Sequence, residues 1–247
     1  MRPNYAIKEI ARYQFKIRYG LCVGAALLFV ILGGGSAGGF SLRYNSSANS
    51  IPSEWWPFII GAGVLGLLIS ALVGGPVKVG YSKFTSCIYL GIDTGIDDMF
   101  RTGFRNNYWR SVGGMLWMDL FIWLWSLLFI IPGIVKSFAY FATPYILAEF
   151  PNVEATEALK ISMRMTDGYK GDIFVLGLSF IGWFLLSALT FGLLGILYVS
   201  PYYDVSMAGM YQELKMNALN TGMVRYEELM GYPAPPPGYQ PPSGYGY

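Results

Sequence analysis

The 247-residue chain is 54% hydrophobic and 17% aromatic, with only 13% charged residues, a net charge of +2 and no histidine. It is too apolar for a soluble domain of this length, and its near balance of charge gives no reason to expect nucleic acid. Lack of histidine removes the commonest metal ligand and the commonest general base at neutral pH. Cys22 and Cys87 show no metal-like spacing and read as reduced, small apolar residues, so no metal or cofactor is expected.

Fifteen of the 17 Lys and Arg residues fall in four polar stretches, 2–18, 78–110, 160–170 and 215–225, which alternate with apolar ones. Arg43 and Lys136 fall in the intervening connections. The positive-inside rule assigns the four stretches to the cytoplasm and places Arg43 and Lys136 outside. The expectation is an all-α, multi-pass protein of the cell membrane with both termini cytoplasmic.

Residues 1–20 form a cytoplasmic amphipathic segment, with Ile7, Ile10, Phe15 and Ile17 at helical spacing among Lys8, Arg12, Lys16 and Arg18. A six-helix membrane domain follows over 21–215, with spans at about 21–40, 57–79, 112–131, 134–150, 173–190 and 196–212. The first apolar run is too long for a signal peptide core and reads as a retained helix whose outer end is rich in glycine. A polar connection, 41–54, ends at Trp55 and Trp56, an aromatic belt pair. Its Asn45-Ser46-Ser47 has the form of a glycosylation acceptor but carries no weight in a bacterial cell. Gly74-Gly75-Pro76 loosens the inner end of the second span. The stretch 81–110 is mixed and is best read as an interfacial helix carrying Arg101, Arg105 and Arg110. Asp93, Asp97 and Asp98 lack the ligand order of a calcium loop and read as helix N-terminal acids.

The third span turns at Ile131-Pro132-Gly133 into the fourth. A cytoplasmic helix then carries Glu154 and Glu157 early and Lys160 and Arg164 late, in the order that suits the helix dipole, with Lys170 beyond. Its apolar face is expected to rest on the membrane. Spans five and six are joined by an outer turn at 191–195. Each of the three resulting hairpins is preceded by a basic amphipathic segment, 5–19, 97–110 and 154–170, the order expected of a weak three-unit repeat. Pro144 and Pro201 occupy comparable returning helices, where a plain kink is favoured over a cavity-lining break. Asp119 and Asp204 fall near mid-membrane. A carboxylate there costs at least about 2.5 kcal/mol, so it faces the bundle, is protonated or meets a partner. With no basic partner evident, a neutral, hydrogen-bonded acid is favoured over a proton or cation relay.

Several ordered motifs accompany these elements. They are Leu124-Trp125-Ser126-Leu127-Leu128-Phe129-Ile130-Ile131-Pro132-Gly133-Ile134, Tyr145-Ile146-Leu147-Ala148-Glu149 with Pro151, and Leu178-Ser179-Phe180-Ile181-Gly182-Trp183 with Thr190 and Gly192. Pro201-Tyr202 and Tyr211-Gln212-Glu213-Leu214 complete the series. In these motifs residues 5–215 resemble the bacterial membrane-protein family called domain of unknown function 975. The resemblance implies an integral membrane protein, related more loosely to the membrane domain of some glycerophosphodiester phosphodiesterases, and it brings no catalytic residues. Tyr198, where the family often has Trp, is a conservative departure. A second departure is the cytoplasmic tail, 216–247, rich in Pro, Gly and Tyr and disordered from about 231, whose Pro236-Pro237-Gly238-Tyr239 reads as a tether or weak sticker.

Three function classes follow. The favoured one is a non-enzymatic scaffold or accessory protein that binds anionic membrane lipid through Lys8, Arg12, Lys16, Arg18, Arg101, Arg105, Arg110, Lys160, Arg164 and Lys170, with membrane-protein partners or a second copy as further ligands. The alternative is a small transporter or permease with a midplane polar site made of Asp119, Asp204, Pro144 and Pro201. A lipid-modifying enzyme is the least favoured, because the chain sets no nucleophile beside a base.

Overall fold

A computed structural model describes residues 1–32, 70–105, 108–128 and 130–230, together with positions 55, 58 and 61. The outer end of the expected first span, the connection with Arg43 and Asn45, most of the second span and the tail from 231 lie outside the described residues. The described residues form helices and turns, with no strand among them.

Helix α1, Asn4–Ile17, buries Ile7, Ala11 and Phe15, three positions one turn apart that make a single apolar stripe. It then turns by 97° at Arg18 into α2, Tyr19–Ile31. The sequence leads one to expect this stripe on lipid, but it is covered by protein. It lies along α11, Ser200–Asn220. The Arg2 amide donates to Glu213 Oε2 at 3.0 Å at one end, and Phe15 meets Tyr198 edge-on at 5.4 Å just before the other, so the two helices run antiparallel. Helix α2 therefore points steeply across α11, and these two apolar segments do not stand side by side as parallel spans.

Helix α3, Gly75–Tyr89, is a core helix with 12 buried residues. Its second half, 81–89, was expected at the membrane interface; the apolar stretch around Ile88 packs inward instead. After a turn at Gly91 (φ 73°), α4, Ile96–Phe100, and a π-helical turn, Arg101–Arg105, fold back along α3. Two glycines make this approach possible: a Cβ on Gly80 would collide with the Met99 carbonyl, and one on Gly103 with the Pro76 carbonyl.

Helices α5, Tyr108–Leu128, and α6, Ile130–Ala139, form the expected tight hairpin, with Gly133 against Ser126 and Phe121 near Tyr140. The returning arm breaks at 140–142 and resumes as α7, Thr143–Glu149. Helix α8, Ala155–Met165, packs its buried face, Ala158, Leu159, Ile161, Ser162 and Met165, on α5 and α7, again where lipid was expected. The last hairpin consists of α9, Lys170–Leu178, and α10, Ile181–Leu189, then an outer turn through Phe191 (φ 52°) and Gly192 (φ 84°), and a π-helical turn, Gly195–Val199, that runs into α11. A short α12, Tyr226–Leu229, follows.

Pro76, Pro144 and Pro201 each sit in the first turn of α3, α7 and α11; Pro144 follows the break at 140–142, whereas Pro76 and Pro201 follow the π-helical turns Ser70–Gly74 and Gly195–Val199 without a break, and the Leu72 carbonyl, one turn before Pro76, accepts from the Tyr108 hydroxyl at 2.9 Å. Pro144 thus opens a helix after a break, Pro201 sits where a π-helical turn passes into α11, and Pro76 adds a third occurrence to the repeat. The α3, α7 and α11 segments pack on one another as the centre of the core. Among the described residues one helical stretch, Lys170–Leu189, is long and apolar enough to cross a membrane, or two if the bent pair α1–α2 is one segment.

Candidate functional site

The four residues expected at a midplane site do not converge. Asp204 lies one turn into α11, on the inner side of the core, where the buried Tyr81 hydroxyl of α3 donates to its Oδ2 at 2.9 Å. Phe29 of α2 stacks on the Tyr81 ring at 4.3 Å and fixes it. Asp119 lies apart from this pair, on an exposed part of α5, and interacts electrostatically with Lys78 at more than ion-pair distance. Lys78 is the basic partner that sequence reasoning did not find. Lys78 and Tyr81 are three residues apart on α3, so the Asp119–Lys78 and Tyr81–Asp204 pairs are set at neighbouring positions of one helix.

A second buried cluster went unread in the sequence. Glu149 at the end of α7 accepts from the Tyr211 hydroxyl at 2.7 Å and from Lys215 Nζ at 2.5 Å, and Tyr145 stacks on Tyr211 at 4.8 Å. The legible signal was the motif pair itself, since Tyr145–Glu149 and Tyr211–Leu214 are the segments that meet here.

The break before Pro144 leaves the Ala139 carbonyl without its helical donor. It lines no cavity: Ser162 Oγ donates to it at 2.8 Å and Thr166 Oγ1 at 3.2 Å, while the Ala142 amide donates to Ser162 Oγ at 3.1 Å. Such exchange closes a break that lipid could not satisfy.

The basic candidates divide into two groups. Arg12, Lys16, Arg101, Arg105 and Lys160 are exposed and form no ion pair among the described residues. Others are engaged internally. Lys8 Nζ bonds the Ser179 hydroxyl at 3.1 Å and lies 4.4 Å from the Phe180 ring centre, and partial burial pulls its pKa down. Arg18 pairs with Asp93 at 2.7 Å, Arg164 with Glu228, and Lys170 with Asp167 at 3.4 Å. The Arg110 guanidinium donates to the carbonyls of Leu147, Phe150 and Val153 at 2.5 to 2.9 Å, capping the end of α7, and burial lowers its pKa. Lys8 and Arg110 are thus both engaged by groups of the chain itself.

Two pockets of about 500 and 510 Å³ open on the surface. One, between α6 and α8, is lined by Lys136, Lys160, Arg164 and Lys170; the other lies around Tyr108, Arg110 and the 151–154 turn. Neither contains Asp119, Asp204, Pro144 or Pro201. Lys136, expected outside, shares the first pocket with three residues expected inside, and it lies only six residues beyond Ile130, where α6 begins.

Residues 110–218 match the family described as protein of unknown function (DUF975). The match covers the second and third hairpins and the Glu149–Tyr211 cluster. No curated protein and no solved structure matches the chain.

Proposed function

We propose that this chain, a DUF975 family member through residues 110–218, is an integral protein of the cell membrane that acts as a non-enzymatic scaffold or accessory protein holding lipid and protein partners. One observation carries the reading: the outward faces of the α5–α6 hairpin and of the α9–α10 stretch expose large apolar side chains, Trp123 at 61%, Leu127 at 70%, Ile131 at 75%, Leu185 at 66% and Leu189 at 77%. Leaving a Leu or Ile in water rather than burying it costs about 1.5–3 kcal/mol. Acyl chains or an apolar partner cover such a surface. The exposed Arg12, Lys16, Arg101, Arg105 and Lys160 suit anionic headgroups at its rim.

Six inserted segments, paired as three hairpins with both termini cytoplasmic, remain the arrangement we favour, with one revision. If Lys136 shares the cytoplasmic side with Lys160, the α5–α6 hairpin reaches only about 10 Å beyond it at 1.5 Å per residue. A hydrocarbon core is about 30 Å thick, so this hairpin dips in and returns. The revised reading leaves Arg43 as the one basic residue outside.

A permease is the alternative, and what favours it is that α3 carries the partners of both acids, Lys78 toward Asp119 and Tyr81 on Asp204. Crosslinking in native membranes, with identification of bound lipids and proteins, tests the two together with flux into proteoliposomes. A scaffold keeps its crosslinked partners in the Asp119→Asn and Asp204→Asn chains and shows no flux; a permease shows flux that these changes abolish.

A further inference from the structure

The pocket between α6 and α8 has an unbalanced charge. Lys136, Lys160, Arg164 and Lys170 face it, against Glu157 and Asp167. Arg164 is held by Glu228 and Lys170 by Asp167, whereas Lys136 and Lys160 have no carboxylate partner among the described residues. Lys136 is also half-buried, so its charge is screened less than that of a free surface lysine. Its contacts are soft: Met163 Sδ at 3.8 Å, the Trp125 ring centre at 5.2 Å and the Tyr140 ring centre at 5.8 Å. Such neighbours hold the ammonium in place and leave its donors free for an anion.

One wall of the pocket is apolar, formed by Val135 and Ala139, and it continues onto the exposed Ile134 and Ile131 at the end of the hairpin. Two uncompensated cations beside an apolar ramp match one kind of ligand, a phosphate ester with acyl chains attached. We infer that Lys136 and Lys160 bind the headgroup phosphate of one anionic phospholipid, whose acyl chains lie along Val135, Ile134 and Ile131. Glu157 and Asp167 at the rim disfavour a second anion and set the capacity at one. The inference rests on the membrane reading above and adds to it a discrete, stoichiometric site.

The test uses the full chain in nanodiscs of phosphatidylcholine containing phosphatidylglycerol, with retained lipid counted by native mass spectrometry after transfer to detergent. The wild-type chain is expected to retain one phosphatidylglycerol in preference to phosphatidylcholine. Lys136→Gln with Lys160→Gln weakens retention about tenfold or more, as expected for losing charge-assisted hydrogen bonds. Arginine at both positions preserves it, and Arg225→Gln, at an exposed residue outside the pocket, leaves it unchanged. Excess inorganic phosphate does not displace the lipid. Equal losses in the two glutamine variants, no headgroup preference, or displacement by phosphate would overturn the site. A chain that fails to enter nanodiscs removes the membrane reading and the site together. Entry with undiminished phosphatidylglycerol in the Lys136→Gln, Lys160→Gln chain removes the site alone.

Discussion

Ser162 of α8 donates its hydroxyl to the Ala139 carbonyl at 2.8 Å and with the same oxygen accepts the Ala142 amide at 3.1 Å. One fully buried side chain thus serves both sides of the break that precedes Pro144. In Ser162→Ala the Ala139 carbonyl keeps Thr166, but the Ala142 amide loses its acceptor. A buried donor left unmatched costs about 1–3 kcal/mol. Thermal unfolding of the detergent-solubilised chain is expected to show that loss, with Thr166→Val the milder change because Ser162 still reaches Ala139.

Replacing Gly80 or Gly103 by alanine places a methyl group against the carbonyl of Met99 or Pro76. Backbone cannot step aside as a flexible side chain can, so α4 must lift from α3 at a cost of about 1–3 kcal/mol. Gly113→Ala is the control: its added Cβ meets nothing within 4 Å, and the helix gains up to about 1 kcal/mol. Unfolding midpoints of the three variants should therefore fall on opposite sides of the wild type.

Tyr81 and Asp204 separate hydrogen bonding from charge. Asp204→Asn keeps an oxygen acceptor for the Tyr81 hydroxyl, whereas Tyr81→Phe leaves the Asp204 oxygen without this donor. Tyr81→Phe is expected to cost about 1–3 kcal/mol and Asp204→Asn less. The double variant should cost less than the sum of the two, as residues sharing one bond couple.

Sidedness can be read directly. With Cys22 and Cys87 replaced by alanine, single cysteines at positions 136 and 160 are expected to react with an impermeant maleimide from the same face of a membrane vesicle, since both line one pocket. Reaction from opposite faces would return Lys136 to the outer side and give the α5–α6 hairpin a full crossing.

What the sequence carried was local. The helical spacing that includes Ile7 and Phe15, the outer turn that begins at Phe191-Gly192, and the amphipathic segments ahead of the α5–α6 hairpin and of α9 all depend on residues within a turn or two of each other, and these appear in the structure, whereas Pro132 and Gly133, read as a turn, lie inside α6. An apolar stripe, though, fits lipid and protein equally well, so the placement of α1 and α8 on other helices was not written in their own spacing. The same holds for charge. Arg110 and Lys8 count as basic residues in a topology argument, yet Arg110 caps a helix 40 residues away and Lys8 lies over Phe180. Lys78 was invisible as Asp119's partner because it belongs to a segment read as the loosened end of a span. Contacts between distant segments decide what a charged residue does, and composition records only that it is there.

The clasp between α1 and α11 also sets a schedule. α1 ends at Ile17 and α11 begins at Ser200, so at about 5–20 residues per second the ribosome needs roughly 10 to 40 s to deliver the second half of the pair. For that interval Ile7, Ala11 and Phe15 lack the helix that covers them in the folded chain. The first helix made is among the last to find its place, its apolar stripe closed over only when the chain is nearly complete.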